Sequence, residues 1–242
     1  MPGGGIAADP GGIGGEDVCA GNGVEAEADR ERWRLPHAGA ATLVELFASS
    51  ARDSGWIGFL RGMVPIGKPL LWVQERMAIL EGGRVYPPGM GAFPDFIHVE
   101  TRDARDALWA MEEGLRCSAL GAVVGETWGD PAALDFTATR RLAVAAERYG
   151  VAACLIRLGG HANLSGARWR WRVASAPSLP HPLNPRAPGP ATWAVELFRG
   201  RGAPPGAWVV TNDGAAGNEG GFDLVAPAGD RAVGQGVRRQ AG

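Results

Sequence analysis

Between about Thr42 and Leu158, apolar residues fall alternately into short runs and helical faces. TLVELF (42–47) is a short apolar run ended by a polar turn. The segment from about Gly55 to Met63 then places Trp56, Phe59, Leu60 and Met63 at helical spacing. LLWVQE (70–75) and FIHVE (96–100) have the length and composition of strands. Asp103 can cap a helix ending at Leu115, with Ala104, Leu108, Met111 and Leu115 on one face. ALGAVVGE (119–126) is the nearly continuous apolar run of a strand buried on both faces. Asp130 followed by Pro131 predicts a helix start, and this helix runs to Tyr149 and is closed by Gly150. VAACLIR (151–157) is the next buried strand.

Past Leu158 the pattern changes to strands of alternating character joined by Gly and Pro turns: WRWRVASA (169–176), TWAVELFR (192–199) and AWVVTND (207–213), expected to pair antiparallel. Alternation puts Trp169, Trp171 and Val173 on one face and Arg168, Arg170 and Arg172 on the other, either a solvated face or a nucleic-acid or partner surface. HPLNPRAPGPA (181–191) predicts an extended connector. Strand–helix alternation followed by meandering strands predicts a three-layer α/β domain with a mixed sheet. It occupies 35–226, between a disordered, Gly-rich acidic tail at 1–34 and a flexible tail at 227–242.

Composition narrows the picture little. The 23 Arg and single Lys accompany enrichment in Gly, Ala and Pro, a coding bias that argues for no function. Charge is uneven: residues 1–30 carry a net −5, 31–149 a net −2 and 150–242 a net +5, too mild for a strong stand-alone nucleic-acid binder. Cys19, Cys117 and Cys154 are far apart and the four histidines are scattered, so no metal site is expected. No run reaches the roughly 18–20 apolar residues of a membrane span, and no basic start precedes an apolar block, so a cytoplasmic protein with no membrane contact is expected.

One motif promises chemistry. GMVPIGKP (62–69) fits seven of the eight positions of a phosphate-binding loop, with Pro69 where a magnesium-binding hydroxyl belongs. Such a loop must leave a strand and enter a helix, so that backbone amides converge on the phosphates. Here the order is reversed, and Pro65 and Pro69 remove donors, which predicts a helix-to-strand connector. The proper context lies upstream, where VELF is followed by ASSARDSG (48–55) and then a helix. That loop has one glycine, no lysine, and Arg52 as its only cation, so it is expected to be degenerate.

LPHAGAATLVELF, the lysine-free loop, LWVQERM, FIHVETRDARDALWAMEEGLRCSALGAVVGE, LDFTATRRLAVAAERYGVAACLIR, RWRWRVASAPS and ATWAVELFRGRG together resemble ImuA. The resemblance covers about residues 35–226. It implies a RecA-like domain with a mixed, mainly parallel central sheet and a C-terminal antiparallel extension, lacking a complete ATP site. The degenerate nucleotide site would comprise Ser49, Ser50, Arg52, Ser54 and Gly55, with Glu75 at the position of the recombinase's catalytic carboxylate and Glu126 at that of the magnesium-supporting acid. With the loop lysine missing, both acids are read in the first place as polar strand ends at the carboxyl edge of the sheet. GGHANLSGARW (159–169) falls where the recombinase has its second DNA-contacting loop. His161, Asn163, Ser165, Arg168, Arg170 and Arg172 are therefore candidates for DNA or partner contacts, against the reading of 159–169 as a plain surface loop.

The resemblance implies a non-enzymatic accessory protein of damage-induced (SOS) translesion synthesis. Its partners would be the ImuB polymerase-like adaptor, an error-prone DNA polymerase and RecA, contacted through 1–34 or the basic C-terminal segment. No cofactor is expected. Rival expectations are an ATP- and magnesium-dependent switch or weak ATPase, a single-stranded DNA binder, and a SulA-like inhibitor of the cell-division GTPase.

Overall fold

A computed structural model describes residues 32–36, 40–65, 67–90, 95–211 and 221–225. The expected tails fall outside these residues, apart from the end of the first: Arg32–Arg34 form a short edge strand, β1. The elements that follow are β2 (Leu43–Ala48), α1 (Gly55–Arg61), β3 (Leu70–Glu75), α2 (Arg76–Gly82), β4 (Phe96–Thr101), α3 (Ala104–Leu115), β5 (Ala122–Trp128), α4 (Phe136–Tyr149) and β6 (Ala152–Leu158). Then come β7 (Trp169–Ala176), β8 (Pro180–His181), β9 (Asn184–Pro188), β10 (Thr192–Gly200), β11 (Gly206–Thr211) and β12 (Gly221–Val225).

Ten strands form one sheet in the order β1-β12-β11-β10-β7-β2-β6-β5-β3-β4. Pairing is parallel from β7 through β2, β6, β5 and β3 to β4, and antiparallel from β7 outward through β10, β11, β12 and β1. This is the expected mixed sheet with an antiparallel extension.

Helices cover both faces. Against one face, Trp56, Phe59 and Leu60 of α1 and Ala78 of α2 pack on Leu46, Trp72, Val124, Ile156 and Trp171. Against the other, Leu108, Met111 and Leu115 of α3 and Leu142, Ala143 and Ala146 of α4 pack on Leu71, Val73, Val123, Ala153 and Leu155. Neighbouring strand residues serve opposite cores, as the two-residue period requires. The three layers are therefore complete.

α1 approaches the sheet closely because it carries no side chain where it crosses the extension. A Cβ on Gly58 would lie 2.1 Å from a ring carbon of Trp193, and one on Gly62 would lie 2.2 Å from Phe222. Gly62 ends the helix, Gly67 turns the chain at φ +91°, and Pro69 leads into β3, so GMVPIGKP is the expected helix-to-strand connector. Lys68 is exposed.

Three local expectations change. The strand expected at 119–126 starts at Ala122 and continues to Trp128, because residues before it are held in a turn closed by Leu120 N–H on Cys117 O. Asp130 does not cap α4: its carboxylate is drawn to Arg157 and His161, and Asp135 caps instead, accepting from Ala138 N at 2.7 Å. The 181–191 connector is partly a small hairpin of β8 and β9. Asp103 caps α3, accepting from Asp106 N at 3.0 Å, and Gly150 closes α4 at φ +70°, both as expected.

Candidate functional site

The carboxyl ends of β2, β3, β5 and β6 meet along one edge, where ligands of α/β proteins gather. The loop after β2 enters α1 there, and Asp53 organises it. Its carboxylate accepts from Gly55 N at 2.9 Å, Ser175 N at 2.9 Å, Ser175 Oγ at 2.6 Å and Ser49 Oγ. Partial burial would raise its pKa, but these bonds outweigh that and lower it to about 2. Gly55 is clamped as well, since a Cβ would meet the Ser175 backbone N at 2.8 Å. The loop thus folds around its own anion.

Beside it, Glu126 at the end of β5 is 3% exposed, accepting from Trp72 Nε1 and from Gln74 Nε2 at 3.1 Å. Burial drives its pKa up, the two hydrogen bonds hold it back in part, and it reaches about 7. Gln74 also donates to Gly83 O and accepts from Val85 N and His98, which ties the chain beyond α2 over the site. Burial lowers the His98 pKa, and nearby Arg84 adds to the shift. The remaining cleft is about 140 Å³, lined by Arg52, Asp53, Ser54, Glu126 and the 81–85 segment. Pockets for drug-sized ligands run to about 300–1,000 Å³.

Of the seven residues expected at a degenerate nucleotide site, Arg52, Ser54 and Glu126 line this cleft. Ser49 serves Asp53, Ser50 is exposed, and Gly55 is buried under Ser175. Glu75 sits one position beyond Gln74, the strand partner of Glu126, and accepts from Trp128 N at 2.9 Å. Burial raises its pKa against that bond. The two acids hold separate hydrogen-bond partners. Asp53 and Gln74, which organise the edge, carried no expectation; the Asx preference for turns was the only signal for Asp53.

The arginine face of β7 is not uniformly solvated. Arg170 is 4% exposed, with Nε 2.6 Å from Glu45 Oε2, and Arg157 and Glu45 are fully buried with Arg157 Nη1 3.6 Å from Glu45 Oε1. The Phe47 ring lies beneath both guanidinium groups. Arg170 therefore has no surface to offer DNA or a partner, which corrects its place among the contact candidates. Ser165 is buried too, with its hydroxyl accepting from Ala167 N. His161 and Asn163 are exposed at the loop after β6, held by Asp130 and Arg157. Arg168 pairs with Glu147 at 2.7 Å and Arg172 with Glu196 at 3.0 Å. Arg157, the buried hub of this network, was missed because one arginine ending an apolar strand gives no sign of its partners.

Among the described residues no group of three or more His, Cys, Asp or Glu side chains could hold a metal, and no helix is long and apolar enough to cross a membrane. Burial pushes the Cys154 thiol up to about 12.

No family model matches the chain. Protein ImuA from each of two strains of Caulobacter vibrioides is 34% identical to it over 179 residues, spanning 69% of this chain and 70% of the relative. The chain belongs to the ImuA family. In this ImuA-family chain the aligned span is longer than any single element.

Proposed function

We propose that the chain is a non-catalytic, RecA-like accessory protein that supports error-prone translesion synthesis in the SOS response. It acts through protein contacts with a polymerase-like adaptor of the ImuB kind, with RecA, or with both, and through them serves an error-prone DNA polymerase. Family membership supports the pathway. The observation that carries the non-catalytic reading is the loop at 49–54, where Ser49 Oγ, Gly55 N at the start of α1, and the N and Oγ of Ser175 on β7 converge on Asp53. A triphosphate brought there would meet a carboxylate already holding the donors, with no lysine to offset the repulsion.

Two measurements test this reading. Millimolar ATP with magnesium should leave the thermal midpoint unchanged, whereas a ligand at 100 times its Kd would stabilise the fold by about 2.7 kcal/mol. Pairwise pull-down of the purified full chain should retain the adaptor or RecA. A nucleotide-dependent rise in the midpoint, or ATP hydrolysis abolished by Glu75→Gln, would favour an ATP-driven switch instead.

A further inference from the structure

The outer side of the α3–α4 layer is far more basic than the chain as a whole. Arg140, Val144 and Arg148 recur every fourth residue along α4 and form a ridge with a trough on each flank. The first trough, about 480 Å³, runs between α4 and the end of β10 and is lined by Arg140, Arg168, Arg199 and Arg201, with Phe136 at its side. The second, about 410 Å³, shares Arg140 and Val144 and adds Arg116, Arg141 and Arg148. A third, about 510 Å³, shares Arg141 and Thr137 with the second and ends on Arg105 and Trp109. The shared residues make the troughs one continuous surface, lined by eight arginines and two acids.

Both acids are engaged. Asp135 caps α4, and Glu112 pairs with Arg141 and Arg116. Among the described residues neither Arg140 nor Arg199 has an ion-pair partner, while Arg168 is held by Glu147. Large apolar side chains interrupt the charge: Trp109 is 65% exposed, Val144 48% and Phe136 39%. Leaving such groups in water is unfavourable, and here they alternate with guanidinium groups, of which Arg140 and Arg199 have no ion-pair partner among the described residues.

We propose that this face binds single-stranded nucleic acid, the arginines taking phosphates and the Trp109 and Phe136 rings taking unstacked bases. Guanidinium forks match phosphate oxygens, and an aromatic ring stacks on a base of any identity. A duplex keeps its bases paired and would leave both rings without partners. An acidic polypeptide would use the charges but not the ring faces. The site is separate from the carboxyl-edge cleft, and of the arginines suspected from sequence it uses only Arg168. It goes beyond the accessory reading and does not depend on it.

The test is fluorescence anisotropy of a labelled oligodeoxythymidylate with the full chain across a salt series. The wild-type chain should bind, with affinity falling as salt rises. Arg140→Glu combined with Arg199→Glu should weaken binding at least tenfold and flatten the log–log salt slope by about 0.7 for each lost phosphate contact. Trp109→Ala should weaken it at least fivefold and leave the slope unchanged. Arg61→Glu, at the end of α1 on the opposite side of the sheet, should bind as wild type. Unchanged thermal midpoints confirm folding; if the double variant unfolds, Arg201→Gln and the wild-type slope decide. The proposal falls if the wild type does not bind, if its affinity ignores salt, or if Arg61→Glu loses as much as the double variant. Displacement by polyglutamate with Trp109→Ala silent would overturn it in favour of an acidic polypeptide.

Discussion

On the α1–α2 side of the sheet, Trp72 and Trp171 are fully buried among rings. Phe59 lies 5.4 Å from Trp171 and 5.1 Å from Phe222, and Trp56 lies 6.1 Å from Trp72. On the other side, β2, β6 and β7 turn Glu45, Arg157 and Arg170 into the interior. β7 thus supplies Trp171 to the aromatic core and Arg170 to the buried ion cluster, one residue out of phase, while β2 and β6 supply Leu46 and Ile156 to the first and Glu45 and Arg157 to the second. A dry aromatic face gains from every ring it covers, roughly 25 cal/mol per Å² of apolar surface. A buried charge costs several kcal/mol and is recovered only through good partners. Here Glu45 Oε1, Arg157 Nε and Arg170 Nη2 are buried without a hydrogen bond among the described residues. The charged face is therefore the one a single substitution damages most.

Five variants would break or sharpen that contrast. Glu45→Ala strands two buried guanidinium groups and should cost about 3–5 kcal/mol in urea unfolding. The triple change Glu45→Leu, Arg157→Leu, Arg170→Met should recover most of that loss. On the aromatic face Trp171→Ala should cost about 3–4 kcal/mol, chiefly as cavity, with no dependence on pH. The rim of that face carries Glu126. The folded-state pKa of Glu126 lies near 7, against an ordinary 4.5, so the fold binds its proton more tightly than the unfolded chain does. Stability should therefore decline as pH rises from about 4.5 to 7, by up to about 3 kcal/mol, and stay low above that. Thermal melts of Glu126→Gln should lose that decline. Asp53→Ala should have the smallest effect, about 1–2 kcal/mol at pH 7, from the lost bonds to Gly55 and Ser175. Because the folded pKa of Asp53 is depressed, its contribution is present above about pH 4 and fades as pH falls towards 2, where wild type and variant should converge.

Much of the fold was legible in local pattern. The bounds of β3 and β7, the Asp103 cap and the Gly150 stop follow from period, capping chemistry and a left-handed closing glycine. Asp130 shows where local reading ends. A helix start is a competition for one carboxylate, and Arg157, 27 residues away, wins it. Arg170 teaches the same lesson. Alternation placed it on the correct face, but burial depends on Glu45, 125 residues distant in the chain. That the 48–55 loop lacks the lysine and glycines of a phosphate loop is plain in the sequence, whereas the part played by Asp53 needed Ser175 in view.

The two glycines beneath Trp193 and Phe222 give α1 a borrowed existence. Seven residues are too few for a helix to hold alone, and Gly58 within it sacrifices about a further 1 kcal/mol relative to alanine. Rings from β10 and β12, strands that enter the chain more than a hundred residues later, join Trp72 and Trp171 in keeping α1 wound. The earliest helix in sequence is then completed only late in the chain, and a chain cut before β10 should show α1 amides exchanging with solvent faster than in the full chain.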